Sequence, residues 1–242
     1  MTTPASARTL VVIPAFNESE ALPATIAGLR QVHPELDVLV VDDGSADATA
    51  EVARSLGVQV LSLPFNLGIG GALRCGFRFA VREGYDRGVQ FDADGQHDPS
   101  GIQTLLAPLD DGADLVIGCR FAGSGEYQVG RSRRLAMGIL RLLARWLTGR
   151  RFNDTSSGFR AFSRPMLERF ADDYPVEYME SVESLVQAVR EGYDVREVPT
   201  VMFARAAGVA SAQRFRLAYH YLRLLVVLGT SRRPRPANGA HS

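Results

Sequence analysis

Cysteine is scarce in this chain, and with only Cys75 and Cys119 present a disulfide framework is excluded. That usage suits a reducing cytoplasm. Histidine is nearly as sparse, and no two of His33, His97, His220 and His241 have zinc-ligand spacing. Net charge is missing too: 27 basic residues balance 27 acidic ones, so no global field draws in nucleic acid, and no nucleic-acid partner is expected. Long apolar runs are absent. The nearest, 215–229, is interrupted by Arg216, His220 and Arg223 and falls short of the roughly 18–20 residues of a membrane-spanning helix. Residues 1–8 lack the apolar core of a signal peptide. The expectation is a cytoplasmic chain with no signal peptide and no transmembrane helix. Its first eight residues and its Pro/Arg-rich end, 230–242, are expected to be disordered.

What is present is a hydrophobic content of 46%, enough for one large core. Apolar runs at Thr9–Ile13, Asp37–Val41, Val58–Leu63, Gly88–Phe91 and Asp114–Gly118 read as strands. Helical patterns separate them near Ser19–Val32, Ala46–Leu56, Ile69–Glu83 and Pro99–Leu109. This alternation predicts an α/β fold with βαβ units, a mostly parallel central sheet flanked by helices, and a Rossmann-like first half. Ser45 followed by Asp47 suggests a helix start, and Pro99 suits a first helical turn. After residue 120 come a glycine-bearing loop, an amphipathic helix over 131–148, the polar turn Asn153–Gly158 and a strand around Phe159–Ser163. A helix over Glu177–Glu191, a strand over Asp194–Met202, a loop over Arg205–Ser211 and an amphipathic helix over 212–229 complete the chain. No internal repeat or linker stands out, so one domain over 9–229 is expected, divided into 9–120, 121–211 and the final helix.

Ligands on such sheets sit beyond the carboxyl ends of the strands. There the chain reads Val-Gln-Phe-Asp-Ala-Asp-Gly-Gln-His-Asp over 89–98. Asp92 and Asp94, two residues apart on a strand, would face one point and repel unless a cation sits between them. Hard oxygen ligands suit Mg2+ or Mn2+ carrying a substrate phosphate. Asp42 and Asp43 end a neighbouring strand, either as a turn with an Asp cap or as a contact to a donor's base or ribose. The segment Asn66-Leu67-Gly68-Ile69-Gly70-Gly71 fails as a dinucleotide fingerprint and has no Walker lysine. It is either a plain loop or a close backbone approach before a helix whose N–H groups face a ligand. Seven arginines and no acid occupy 131–151, a solvated face or an anion clamp.

Taken together, Val12-Ile13-Pro14-Ala15-Phe16-Asn17-Glu18, Val40-Val41-Asp42-Asp43-Gly44-Ser45, Asn66-Leu67-Gly68 and Asp92-Ala93-Asp94-Gly95-Gln96-His97 resemble the inverting, GT-A-fold glycosyltransferase family 2. Gly118-Cys119-Arg120-Phe121, Asp154-Thr155-Ser156-Ser157-Gly158-Phe159-Arg160 and Glu197-Val198-Pro199 are similar to its polyprenyl-phosphate sugar synthases, the dolichyl-phosphate mannose synthases among them. The resemblance spans 9–211 in order. It implies that Asp92, Asp94 and Gln96 hold the metal on the donor diphosphate, and that Asp43 contacts the nucleotide with Asp42, Asn66, Gly68 and Ala93 beside it. Pro14, Phe16 and Glu18 would line the base and ribose pocket, with Phe16 equally readable as core. Asp94, Arg120, Arg160 and Glu183 would be the catalytic residues. Arg120, Arg133, Arg134, Arg160 and Arg205 would clamp phosphates.

The implied reaction moves a hexose from a nucleotide sugar, GDP-mannose first and UDP-glucose or dTDP-rhamnose next, to a polyprenyl phosphate at the inner membrane face. A phosphate acceptor needs no general base. A saccharide hydroxyl of a lipid-linked or cell-wall glycan would need one, and Glu180 and Glu183 share a helical face for that role. The chain departs from the branch at Gly208-Val209-Ala210-Ser211, where a lysine is usual. Peripheral contact with an anionic membrane through 214–228, a small membrane-protein partner, and a non-catalytic nucleotide-sugar-binding subunit are the other readings.

Overall fold

The computed structural model describes residues 7–120, 131–176 and 180–202, without the side chains of 131–136. The expectations for Arg205, the 205–211 loop, the 212–229 helix and both chain ends lie outside the described residues, as do the side chains of Arg133 and Arg134.

Strands β1 (Thr9–Ala15), β2 (Asp37–Asp42), β3 (Gln59–Ser62), β4 (Arg87–Gln90), β5 (Leu115–Cys119), β6 (Arg160–Ser163) and β7 (Val195–Pro199) form one sheet in the order β3-β2-β1-β4-β6-β5-β7. All neighbours are parallel except β6, which runs antiparallel to both β4 and β5. The period-2 alternation of strand side chains explains the layers. On β1, Leu10 and Val12 face one buried cluster with Phe77, Phe162, Phe170 and Tyr174. Val11, Ile13 and Ala15 face a second with Ile26, Ile102 and Phe159. A strand buried on both faces is apolar throughout, which is why these runs read without alternation in sequence.

Helices α1 (Leu22–Val32), α2 (Thr49–Ser55), α3 (Gly68–Arg82) and α4 (Gly101–Asp110) fill the βαβ crossovers. Neither Ser45 nor Asp47 starts α2: its N-cap is Ala48, and Asp47 Oδ1 accepts from the Thr49 N–H at 3.0 Å. Pro99 likewise precedes α4 instead of opening its first turn. Gly76 lets α3 lie on β1, because a Cβ there would run into Val12 Cγ1. Helix α5 (Arg131–Thr148) packs on α7 (Glu180–Arg190) through Leu140, Leu143, Ala144, Val182 and Val186. Helix α6 (Arg164–Asp172) went unread in the sequence. Ser163 caps it by accepting from the Met166 N–H, and Pro165 occupies its first turn.

One positional expectation is corrected. β4 ends at Gln90, so Asp92 and Asp94 lie in the turn beyond the strand, and strand alternation does not set their directions. Nor are the two acidic ends on adjacent strands, since β2 and β4 flank β1.

Candidate active site

The chain reverses its direction of sheet building at β1, with β2 and β3 on one side and β4 on the other. Such a switch point opens a crevice at the carboxyl edge. The loops after β1, β2 and β4 meet there, joined by the 153–158 turn. Asn17 sits in the left-handed region at φ 56° and braces the β1 loop against the β2 loop. Its N–H donates to Ser45 Oγ at 2.9 Å, its Oδ1 accepts from the Ala46 N–H at 2.9 Å, and the Glu18 N–H donates to Thr49 Oγ1 at 2.9 Å. Phe16, ambiguous in the sequence, is 46% exposed and so outside the core, while Pro14 stays in β1 beside Val41.

Asp42 takes the turn role, accepting from the Ser45 N–H at 3.1 Å. Asp43 is buried, and its Oδ1 accepts from the Leu67 N–H at 2.7 Å. Burial pushes its carboxyl up, against the pull of the Leu67 and Gly68 N–H groups. Asp43 thus holds the 66–68 turn, where Asn66 Oδ1 also accepts from the Gly68 N–H at 2.9 Å, at the N-terminus of α3.

In the acidic turn, Ala93 is fixed by Thr25 Oγ1, which donates to its carbonyl at 2.9 Å. Asp94 is buried and its Oδ1 accepts from the Gln96 N–H at 3.1 Å. His97 Nε2 donates to Asp92 Oδ2 at 3.0 Å, and its ring is stacked on Phe159 with a centroid separation of 4.8 Å. Burial pushes the Asp92 carboxyl up, but His97, with a smaller effect from Gln90, outweighs it and holds the group below the usual carboxylate range. Gly158 comes so close that a Cβ there would stand 2.8 Å from Asp92 Oδ2. Asp92 Oδ1 is buried and has no hydrogen-bond partner among the described residues. An ionised carboxylate with one orphaned oxygen suits a hard divalent cation, and Asp94 and Gln96 stand in the same turn, while among the described residues no group of three or more His, Cys, Asp or Glu is already drawn together as a metal cluster.

The two motif arginines are placed unlike each other. Arg120 forks onto Asp154, with Nε–Oδ2 at 2.6 Å and Nη2–Oδ1 at 2.7 Å, and donates to Ser156 Oγ at 2.8 Å. Arg160 is fully buried. Its Nε donates to the Ser157 carbonyl at 2.8 Å, Nη1 to Ser184 Oγ at 3.0 Å, and Nη2 to the Thr155 and Ser181 carbonyls at 3.4 and 2.8 Å. The guanidinium so enclosed braces the 154–158 turn against α7.

Of the two acids on α7, Glu180 is buried and accepts from Ser181 Oγ at 2.6 Å. Burial pushes its carboxyl up to about 7, with Asp92 adding repulsion and Ser181 and Arg160 opposing it. Glu183 is partly buried one turn further on. Tyr174 lies close enough to Glu180 and Arg160 to feel their charges, its hydroxyl buried without a hydrogen-bond partner among the described residues and its pKa raised chiefly by burial. His97, Gly158, Asp154 and Tyr174 were missed as site residues. His97 and Gly158 stand inside motifs that were read, but nothing in their spacing says that both touch Asp92.

A family model described as glycosyl transferase family 2 matches residues 10–171. A polyprenol monophosphomannose synthase of Mycolicibacterium smegmatis is 36% identical, with 84% of this chain and 80% of that protein covered. An undecaprenyl-phosphate mannosyltransferase of Micrococcus luteus is 37% identical, covering 83% of this chain and 86% of its own length. Among solved structures, glucosyl-3-phosphoglycerate synthase from Mycobacterium tuberculosis, in complex with Mn2+, UDP and phosphoglyceric acid, superposes with a TM-score of 0.69. That match is 25% identical and covers 97% of this chain and 81% of the other.

Proposed function

Because this chain belongs to glycosyltransferase family 2 and has its GT-A fold, we propose that it moves a hexose, with GDP-mannose as first donor, from a nucleotide sugar to a polyprenyl phosphate at the cytoplasmic membrane face. The observation that carries this reading is the likeness, over more than four-fifths of the chain, to two proteins named for mannosyl transfer to polyprenyl phosphates. Complexes of the glucosyl-3-phosphoglycerate synthase with Mn2+ and with Mg2+ support one of these ions as cofactor.

The donor diphosphate lies against the Asp92–Asp94 turn and the N-terminus of α3, whose dipole favours anions. Asp92, Asp94 and Gln96 hold the divalent ion, which when bound offsets the charge of the departing diphosphate. Phe16 and Glu18 flank the nucleoside, and Asp43 keeps the Leu67 turn in place beneath it. Arg120, oriented by Asp154, is the arginine that meets the acceptor phosphate. The acceptor's phosphate oxygen, already anionic at neutral pH, forms the new bond to the anomeric carbon. The bond to the diphosphate oxygen breaks with its electron pair, and the configuration inverts. No proton need be removed, so Glu183 serves to position the acceptor. Purified protein with Mn2+ or Mg2+, labelled GDP-mannose and undecaprenyl phosphate is expected to yield label extractable into organic solvent. No such product from GDP-, UDP- or dTDP-sugars would overturn the reading.

One feature favours a saccharide hydroxyl as acceptor instead: burial pushes the Glu180 carboxyl up to about 7, the range that suits a general base. Glu180→Gln separates the two. Transfer to lipid phosphate survives the change within a few-fold, whereas transfer to a hydroxyl falls by about 100-fold or more.

A further inference from the structure

Helix α5 buries one stripe and leaves another bare. Met137, Leu140, Leu143 and Ala144 turn inward. Ile139, Leu142 and Trp146 are 54%, 67% and 75% exposed, and their spacing of three and four places them on one helical face. Large apolar side chains gathered on an outer face mark an interaction surface. The sequence that carries them has charge of one sign: seven arginines and no acid lie between 131 and 151. Among the described residues no acid pairs with the exposed Arg145 or Arg151. Arginines bordering a Trp/Leu/Ile face match the headgroup and acyl layers of an acidic bilayer, where tryptophan also prefers to sit.

We propose that the Ile139–Leu142–Trp146 face of α5 docks on an anionic phospholipid surface, laying the helix in the interfacial plane with its arginines on the headgroups. The inference rests on the proposed lipid acceptor for its setting, but its test uses neither donor nor acceptor. It can therefore fail while lipid transfer is observed, and hold if transfer is not.

Trp146 is the only tryptophan in the chain, so the emission of the full-length protein reports on this face. With vesicles rich in phosphatidylglycerol, the emission should shift to the blue and be quenched by brominated acyl chains. Phosphatidylcholine vesicles should leave it unchanged. Raising salt from about 0.1 to about 0.5 M should weaken binding about tenfold or more. Ile139→Ser with Leu142→Ser should reduce partition by about tenfold or more at an unchanged melting temperature. Absence of binding overturns the proposal, as does binding with unaltered Trp146 emission, since another surface would then dock. Emission already blue-shifted without lipid overturns it too. Dependence on protein concentration would then identify a second copy as the occupant, and independence a segment of the same chain.

Discussion

Asp94 and Asp92 differ in how much of their environment is fixed by protein. Asp92 is held by His97 and Gly158 with one oxygen unsatisfied, while Asp94 accepts from the Gln96 N–H within its own turn. Asp94→Ala should lower kcat/KM by at least about 100-fold and abolish the Mn2+ binding seen in calorimetry with GDP present, with the fold intact. Gly158→Ala tests the close approach, because the added carbon must displace the Asp92 carboxylate. A loss of about tenfold or more in turnover with a small change in melting temperature is expected. Glu180 gives a pH signature. The folded chain keeps its proton up to about 7, whereas the unfolded chain releases it near 4.5. Raising pH through that window therefore draws stability from the folded state. Relative to Glu180→Gln, the parent should lose roughly 3 kcal/mol between pH 4 and pH 8 in denaturant titrations. At this scale the motif residues were legible, but their contacts were not. Nothing in the sequence distinguishes Arg120, forked on Asp154, from Arg160, sealed behind the same turn.

Elements were read well where a strand is buried on both faces, since β1, β2 and β5 have continuous apolar centres, with Thr9, Asp37 and Asp42 only at strand ends. Helix α6 was missed because it is nine residues long and begins directly at the end of β6, leaving no loop to announce it. The antiparallel insertion of β6 between β4 and β5 was equally hidden, because strand order depends on contacts between residues some 70 apart in sequence. That insertion brings Arg160 beneath α7. Removing the guanidinium with Arg160→Met would strand the Ser157, Thr155 and Ser181 carbonyls and Ser184 Oγ. A destabilisation of about 3 kcal/mol is expected. At this chain length that is a fall of about 6–12 °C in melting temperature.

For the whole molecule, the sheet order concentrates function at one edge. Chain reversal at β1 leaves the crevice between the β1 and β4 loops without a crossover helix above it, and the acidic turn, the Phe16 loop and the start of α3 border that opening. Three separate segments must therefore be in register for a donor to bind, so ligand binding draws on the global fold and not on one loop. A ligand that binds only the folded chain stabilises it by mass action, about 2.7 kcal/mol at a hundredfold excess over Kd. For a chain of this size that should raise the melting temperature by about 5–10 °C when GDP and Mn2+ are added together. Neither GDP alone nor Mn2+ alone should reach that shift, because the Asp92–Asp94 carboxylates repel an uncompensated diphosphate and supply too few oxygens to bind the ion tightly by themselves. EDTA should return the transition to its starting value. An equal shift from GDP with EDTA present would mean that the diphosphate is held without a metal, and that the orphaned Asp92 oxygen has another partner.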